Sequence, residues 1–302
     1  MAAEYQEVDL PVVDYRCFCL DPAIIDPSRF KPLFIRGPRP ASLDPGSYFV
    51  CLGAAQTFGR FVQQPFPDLL GKRLGLSPLN ISHGGAGPSF YTRDNDRLIE
   101  ILNGARFVVL QVMSGRSEGN SLFESHGVGH YTRRSDGAEM SSDAAFEELM
   151  RCESPELVDR IVAETRDAWL DSYRKILART TAPVVLFWFS TRSPDDRPAG
   201  GGVRGLFGDY PQLVNGAMVD AIKADCDGYA LCVSRRGLPQ TLRHRDTGQP
   251  VTIHDPWTTT PWEKNWYYPS PEMHEDAAKT LEPICRAAAG MKPARRRWWW
   301  PR

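Results

Sequence analysis

The chain has 302 residues, 42% hydrophobic and 24% charged, an ordinary globular composition that can bury a substantial core. A formal net charge of −1 supplies no long-range field for nucleic acid or an anionic membrane, so neither partner is expected. No apolar run reaches the roughly 18 residues of a transmembrane helix, and the acidic start "MAAEYQEVDL" lacks the basic region of a secretory signal. A cytoplasmic location is therefore expected. The seven cysteines (Cys17, Cys19, Cys51, Cys152, Cys226, Cys232 and Cys285) are odd in number and form no CxxC pair, which predicts free thiols in a reducing compartment.

Residues 1–47 are proline-rich and show no helical periodicity, so they read as an extended arm laid over a domain spanning 48–290. The first firm element is the apolar run "YFVCLG", a buried strand ending in Gly53. From Phe58 to Leu74 a helical pattern is interrupted near Pro65 and Pro67. "LSPLNIS" is a second strand, followed by the turn "HGGAGPS". "DNDRLIEILNGA" predicts a helix with Asp94 near its N-cap and Gly104 near its C-cap.

"RFVVLQVMSG" is a third strand, and Arg116–Ser142 reads as a long polar loop. Helices are predicted over 143–151 and 154–180, a strand over "APVVLFWFS", and a loop at "SPDDRPAGGG". A helix at "PQLVNGAMVDAIKAD", a fifth strand at "GYALCVS" and a terminal helix starting near Ser270 complete the chain. Residues 291–302, with Arg295–Arg297 against Trp298–Trp300, read as an unstructured basic and Trp-rich tail.

Five uniformly apolar strands alternating with helices predict an α/β fold: a parallel sheet covered on both faces, α/β/α in layers. Ligands of such sheets bind beyond the carboxyl ends of the strands. That rule gathers "GAAQTFG", "HGGAGPS", "SGRSEGN", "STRSPDD" and His274 around one crevice.

These segments carry a resemblance. A strand followed by "GAAQTFG", then "LN…GGAG", "VLQVMSG" and a C-terminal histidine at the start of a helix is similar to the SGNH (GDSL-type) hydrolase superfamily, which has a flavodoxin-like fold. The stretches "GAAQTFGRFVQQPFPDLLGKRLGL", "LNISHGGAGPSFYTRD" and "FVVLQVMSGRS" resemble more closely a bacterial domain family of unknown function, itself SGNH-like. The close likeness spans about residues 48–120 and the terminal helix.

The resemblance implies hydrolysis of esters, acetyl groups or lipids by a serine in a G-D-S turn, with oxyanion donors in the next two blocks and a D-x-x-H base. On this chain those positions hold Gly53, Ala54 and Ala55; then Gly85; then Gly115, Arg116, Ser117 and Glu118; and finally Pro271, Glu272, Met273 and His274. Alanine cannot attack, serine reaches less far than asparagine, and proline gives the histidine no carboxylate partner.

Two readings follow. In the first, the crevice binds a peptide or a saccharide without chemistry, as an accessory factor in a biosynthetic pathway. Its expected ligand contacts are Ala55, Gln56, Gly85, Arg116, Ser117 and His274, with Trp262 and Trp266 of the aromatic segment 257–268 as a wall. In the second, an esterase, acyl hydrolase or acyltransferase uses Thr57 or Ser114 as nucleophile and His274 as base.

Each residue also has a plainer use. Thr57 can cap or pack under the turn, Arg116 can pair within its loop, and Gly84, Gly85 and Gly87 can simply permit a turn. His126 and His130 have the spacing of a helical metal site, but Gly127 and Gly129 argue against a helix there, so no metal or cofactor is expected. A third class, a structural subunit, would show a large apolar surface and form a homo-oligomer.

Overall fold

Five apolar segments form the central sheet: β1 (Tyr48–Gly53), β2 (Ser77–Ser82), β3 (Val108–Gln111), β4 (Val184–Ser190) and β5 (Gly228–Val233). This computed structural model describes residues 2–93, 95–254 and 260–292. The readings placed on Asp94, Trp257 and the tail from 293 onward lie outside the described residues. The strands run parallel in the order β2-β1-β3-β4-β5, the flavodoxin-like arrangement. In register, Val50 lies beside Val108 and Leu79, and Leu186 beside Leu110 and Tyr229.

The pleat sends alternate residues to opposite faces, and both faces are buried. Phe49, Cys51, Val109, Phe187 and Phe189 pack against Phe66 and Leu70 of one helix and Met273, Ala277 and Leu281 of another. These are α3 (Phe66–Leu74) and α9 (Pro271–Ala288). On the other face Val50, Leu52, Leu110, Leu186 and Trp188 meet Leu98, Trp169, Tyr173 and Ile222. Those belong to α4 (Asp96–Gly104), α6 (Pro155–Arg179) and α8 (Gly216–Lys223), with α5 (Ser142–Cys152) and α7 (Gly202–Phe207) on either side of α6 in the chain. The layered α/β/α architecture expected from the apolar strands is therefore present. Asn95 caps α4, its side chain accepting from the Leu98 N–H at 3.3 Å. Among the described residues no helix is long and apolar enough to cross a membrane, and all seven cysteines are free thiols.

Two segments depart from expectation. Residues 116–142 are not a plain loop: Phe123–Ser125, His130–Arg133 and Glu139–Ser141 pair as a small antiparallel sheet. Its strands are three and four residues long, too short for an alternating pattern to register. Nor is the N-terminal segment wholly extended. It begins with α1 (Ala2–Asp9), and its Tyr5, Val12, Val13 and Tyr15 are buried against Ala55, Phe58 and Phe61.

One ion pair secures that packing. The Asp9 carboxylate accepts from Nε and Nη2 of Arg60 at 2.8 and 3.1 Å and from the Tyr15 hydroxyl at 2.9 Å, all buried. The Arg60 guanidinium also lies 4.3–5.3 Å from the ring centres of Tyr5, Phe61, Tyr268 and Trp262. Removing one partner strands a charge out of water, which costs far more than the pair gains. Asp9→Ala should lower the unfolding free energy in urea by about 3–5 kcal/mol, whereas Asp9→Leu with Arg60→Met should recover much of that loss. Equal losses in the single and double variants would contradict this account.

Candidate functional site

The turn leaving β1 is shaped by a close approach. A Cβ on Gly53 would lie 2.3 Å from Gln111 Oε1 and 2.4 Å from Thr57 Oγ1, so only glycine fits. Ala54 stays extended, and Ala55–Phe58 make one buried helical turn, α2, closed by Gly59 at φ 77°. Gln111, at the end of β3, satisfies this turn. Its Oε1 accepts from the Ala54 N–H at 2.9 Å and the Thr57 hydroxyl at 2.6 Å, while its Nε2 donates to the Tyr210 hydroxyl at 2.8 Å.

The second and third segments are clasped together above the sheet. The Ser117 hydroxyl donates to the Gly85 carbonyl at 2.9 Å, and the Ser125 hydroxyl to the Ser117 carbonyl at 2.6 Å. Glu118 is buried behind them, accepting from the Ser89 N–H and the Ser172 hydroxyl, each at 3.0 Å. A Cβ on Gly87 would meet Glu118 Oε1 at 2.7 Å, so glycine is again required. Burial pushes the Glu118 carboxyl up to about 7 against these hydrogen bonds.

Between these segments lies a cavity of about 460 Å³ at the carboxyl ends of the strands. Ala55, Gln56, Gly85, Ser114, Arg116 and Ser117 line it, as the strand-end rule predicts. Tyr210 and Gln212 form one wall, and Tyr267 and Tyr268 another; Tyr5 and Arg29 of the N-terminal segment close it. Gln212 Nε2 donates to the Tyr267 hydroxyl at 3.0 Å, and Asn265 holds the Tyr267 and Tyr268 amides at 3.1 and 2.8 Å. Gln56 Oε1, Ser114 Oγ and Gln212 Oε1 are buried there without a hydrogen-bond partner among the described residues. A buried polar atom left unpaired costs roughly 1–3 kcal/mol, so three in one cavity mark a place that a polar ligand would complete.

The other expected residues lie elsewhere. Thr57 is fully buried with its hydroxyl committed to Gln111, the capping use rather than the nucleophilic one. His274 is fully buried in the core beneath α3: its Nδ1 accepts the Phe66 N–H at 3.0 Å, and it packs between Phe66 and Phe189. That bond satisfies the first free N–H of α3 and places the imidazole proton on Nε2. Burial, with Arg36 nearby, pulls its pKa down to about 3. Thr57, Ser114 and His274 are thus not brought together.

Trp262 packs on Phe61 and Tyr268, and Trp266 is 70% exposed. Both line a separate shallow cavity on the far side of Tyr267. "STRSPDD" is also displaced: Arg192 turns inward to the carbonyls of Asp209, Pro211 and Val214 at 2.7–3.0 Å. It thereby braces the loop that delivers Tyr210 and Gln212. Arg116 donates to Asp143 at 2.6 Å, an ion pair with the first turn of the following helix instead of one within its loop, while still reaching the crevice.

Sequence reasoning missed Gln212, Tyr210, Tyr5 and Arg29, whereas Tyr267 and Tyr268 belong to the aromatic segment 257–268 that it expected as a wall. A buried pair explains the place of Arg29. His83 Nε2 lies 3.2 Å from the Asp26 carboxylate, whose Oδ1 accepts the Ser28 N–H and hydroxyl at 2.9 and 2.6 Å, carrying Arg29 to the rim. A larger groove of about 940 Å³ lies between the N-terminal segment and α3, away from the strand ends. Its buried Arg36 is mostly spent on the carbonyls of Phe58, Gly59, Val62 and Gln63, so the smaller cavity is the better candidate site.

The two shifted groups predict opposed pH dependences. Glu118 holds its proton in the folded state up to about 7 but releases it near 4.5 when unfolded, so its contribution is lost as pH rises between those values. His274 stays neutral down to about 3 when folded but protonates near 6.5 when unfolded, so its contribution is lost as pH falls below 6.5. Each slope reaches up to about 1.4 kcal/mol per pH unit. In urea titrations at several pH values, Glu118→Gln should gain stability relative to the parent as pH rises from 4.5 to 7. His274→Asn should gain as pH falls from 6.5. Profiles parallel to the parent would contradict both assignments.

Comparison with known proteins gives a family and distant structures. The family described as "Domain of unknown function (DUF6473)" matches residues 27–135 and 146–289. No curated protein matches. Among solved structures, a carbohydrate esterase family 2 enzyme from Corynascus thermopiles is 14% identical, with 86% of this chain and 72% of that one covered and a TM-score of 0.42. A putative SGNH hydrolase from Slackia heliotrinireducens is 16% identical, with 80% and 99% covered and a TM-score of 0.35. An acetyl xylan esterase from Butyrivibrio proteoclasticus is 10% identical, with 87% and 68% covered and a TM-score of 0.42.

Proposed function

The chain belongs to the DUF6473 family, and from that premise we propose that it binds a peptide or a saccharide in the crevice at the strand ends without transforming it. The three unpartnered polar atoms of Gln56, Ser114 and Gln212 carry this reading. Neutral amide and hydroxyl groups beside Tyr210, Tyr267 and Tyr268 offer the mixture of hydrogen bonds and ring faces that sugars and peptide groups both use.

The absence of chemistry is supported from two sides. At the position where the SGNH resemblance implies a nucleophile stands Ala55, which lines the crevice with a methyl group. The histidine of the implied base motif has its Nδ1 committed to a helix amide and does not line the cavity. An accessory role in a biosynthetic pathway, in the cytoplasm, fits such a binder.

The alternative, an esterase or acyltransferase, draws on one observation: the Ser114 hydroxyl is buried at the crevice with no partner among the described residues. A hydroxyl nucleophile needs a base within hydrogen-bond reach, and among the described residues none bonds Ser114 Oγ.

Saturation-transfer NMR with pooled tripeptides and oligosaccharides should detect binding, and Gln56→Leu and Gln212→Leu should each weaken it about fivefold to tenfold. Turnover of p-nitrophenyl acetate should not exceed the buffer rate. Ester turnover lost on Ser114→Ala would overturn the non-catalytic reading, and unaltered binding in both glutamine variants would overturn the site.

A further inference from the structure

The charge along the crevice is one-sided. Arg116 reaches into it, Arg29 and His130 stand exposed at its mouth, and among the described residues lining it there is no carboxylate. Arg116 makes one hydrogen bond, from Nη1 to Asp143 at 2.6 Å. The remaining N–H groups of its guanidinium make none with the described residues, leaving the planar fork that matches a carboxylate, sulfate or phosphate.

Space is kept open beside that fork. Gly129, also on the crevice wall, has no side chain; a Cβ there would lie 4.0 Å from Arg116 Nε and 3.6 Å from Ser142 Oγ. The Ser142 hydroxyl is itself buried and has no hydrogen-bond partner among the described residues, as is true of Ser114 on the crevice wall. Two hydroxyls without partners among the described residues, beside a guanidinium with one of its donors used, call for oxygen atoms that accept. Asp143 is no obstacle: it is 46% exposed, and pairs of that kind hold little free energy, so its contact yields readily to ligand oxygens.

We propose that the ligand carries an anionic oxygen group and that Arg116 binds it, with the Ser114 hydroxyl as a second donor. The site therefore selects acidic members of the proposed ligand classes: an acidic saccharide, or a peptide presenting its terminal carboxylate. The inference rests on the crevice being the ligand site and adds the charge of what occupies it.

Two matched probe pairs test it by calorimetry on the full chain. One is trigalacturonic acid with its methyl ester; the other is tri-alanine with its C-terminal amide. The acidic member of at least one pair should bind about tenfold or more tightly than its neutral partner, more weakly at high salt, and lose that advantage in Arg116→Gln. Asp143→Asn, which removes the competing carboxylate, should tighten the acidic probe several-fold and leave the neutral one unchanged, an outcome that a purely structural Arg116 does not give. The identity of the responding pair tells a sugar acid from a peptide terminus. Equal binding of acidic and neutral members would overturn the anionic assignment while leaving the crevice as a binding site. Binding by none of the four would overturn both.

Discussion

The side-chain amide of Gln111 decides where the crevice lies. It stands at the carboxyl end of the middle strand, fully buried, and every polar atom it offers is used. One oxygen ties the Ala54 amide and the Thr57 hydroxyl, which draws the turn after β1 down onto β3 and demands glycine at position 53. The nitrogen ties Tyr210, which starts the opposite wall. Its main-chain carbonyl accepts the Tyr173 hydroxyl at 2.6 Å, fixing α6 behind the sheet. An apolar side chain of similar volume would leave the same shell of groups with no acceptor in a fully buried region, where such groups are costly.

Around that knot, charged groups do the work that regular ladders cannot. The crevice walls come from irregular segments, whose carbonyls have no strand or helix partner and so must find donors elsewhere. Arg36 supplies donors for the chain after α2, and Arg192 for the loop carrying Tyr210 and Gln212. The buried Asp9–Arg60 pair joins α1 to the aromatic segment through Tyr268, whose hydroxyl lies 3.1 Å from Arg60 Nη1. These struts spend most of their hydrogen bonds within the protein. Among the described residues, three of the buried polar atoms left without a partner, on Gln56, Ser114 and Gln212, stand together on the crevice wall.

The sheet and its covering helices were readable from the sequence because strands buried on both faces must be continuously apolar, as "YFVCLG" and "VVLFWFS" are. The crevice followed from the polarity of the parallel sheet, which placed Ala55, Gln56, Gly85, Ser114, Arg116 and Ser117 together. His274 departs from its expected place at the crevice because, with Met273, Ala277, Ala278, Leu281 and Cys285, it completes the buried stripe of α9, and helical spacing assigns it to the core. Of the aromatic segment expected as a wall, the Asn265 turn presents Tyr267 to the crevice and leaves Trp262 and Trp266 beyond it, a division that composition does not carry. Contributions from distant segments, such as Gln212 or Arg29, have no local signal at all. They depend on Arg192 and on the Asp26–His83 pair, contacts that only the folded chain makes.

The central claim is that the crevice over Ala54–Gln56 is where a ligand sits and that His274 takes no part. A crystal structure of the full chain soaked with pooled oligosaccharides and tripeptides tests it. The account predicts bound density within hydrogen-bond distance of Gln56, Ser114 and Gln212, with the His274 imidazole still accepting the Phe66 N–H. A ligand seated in the groove beside α3, or a rearranged turn that exposes His274 to the crevice, would contradict it.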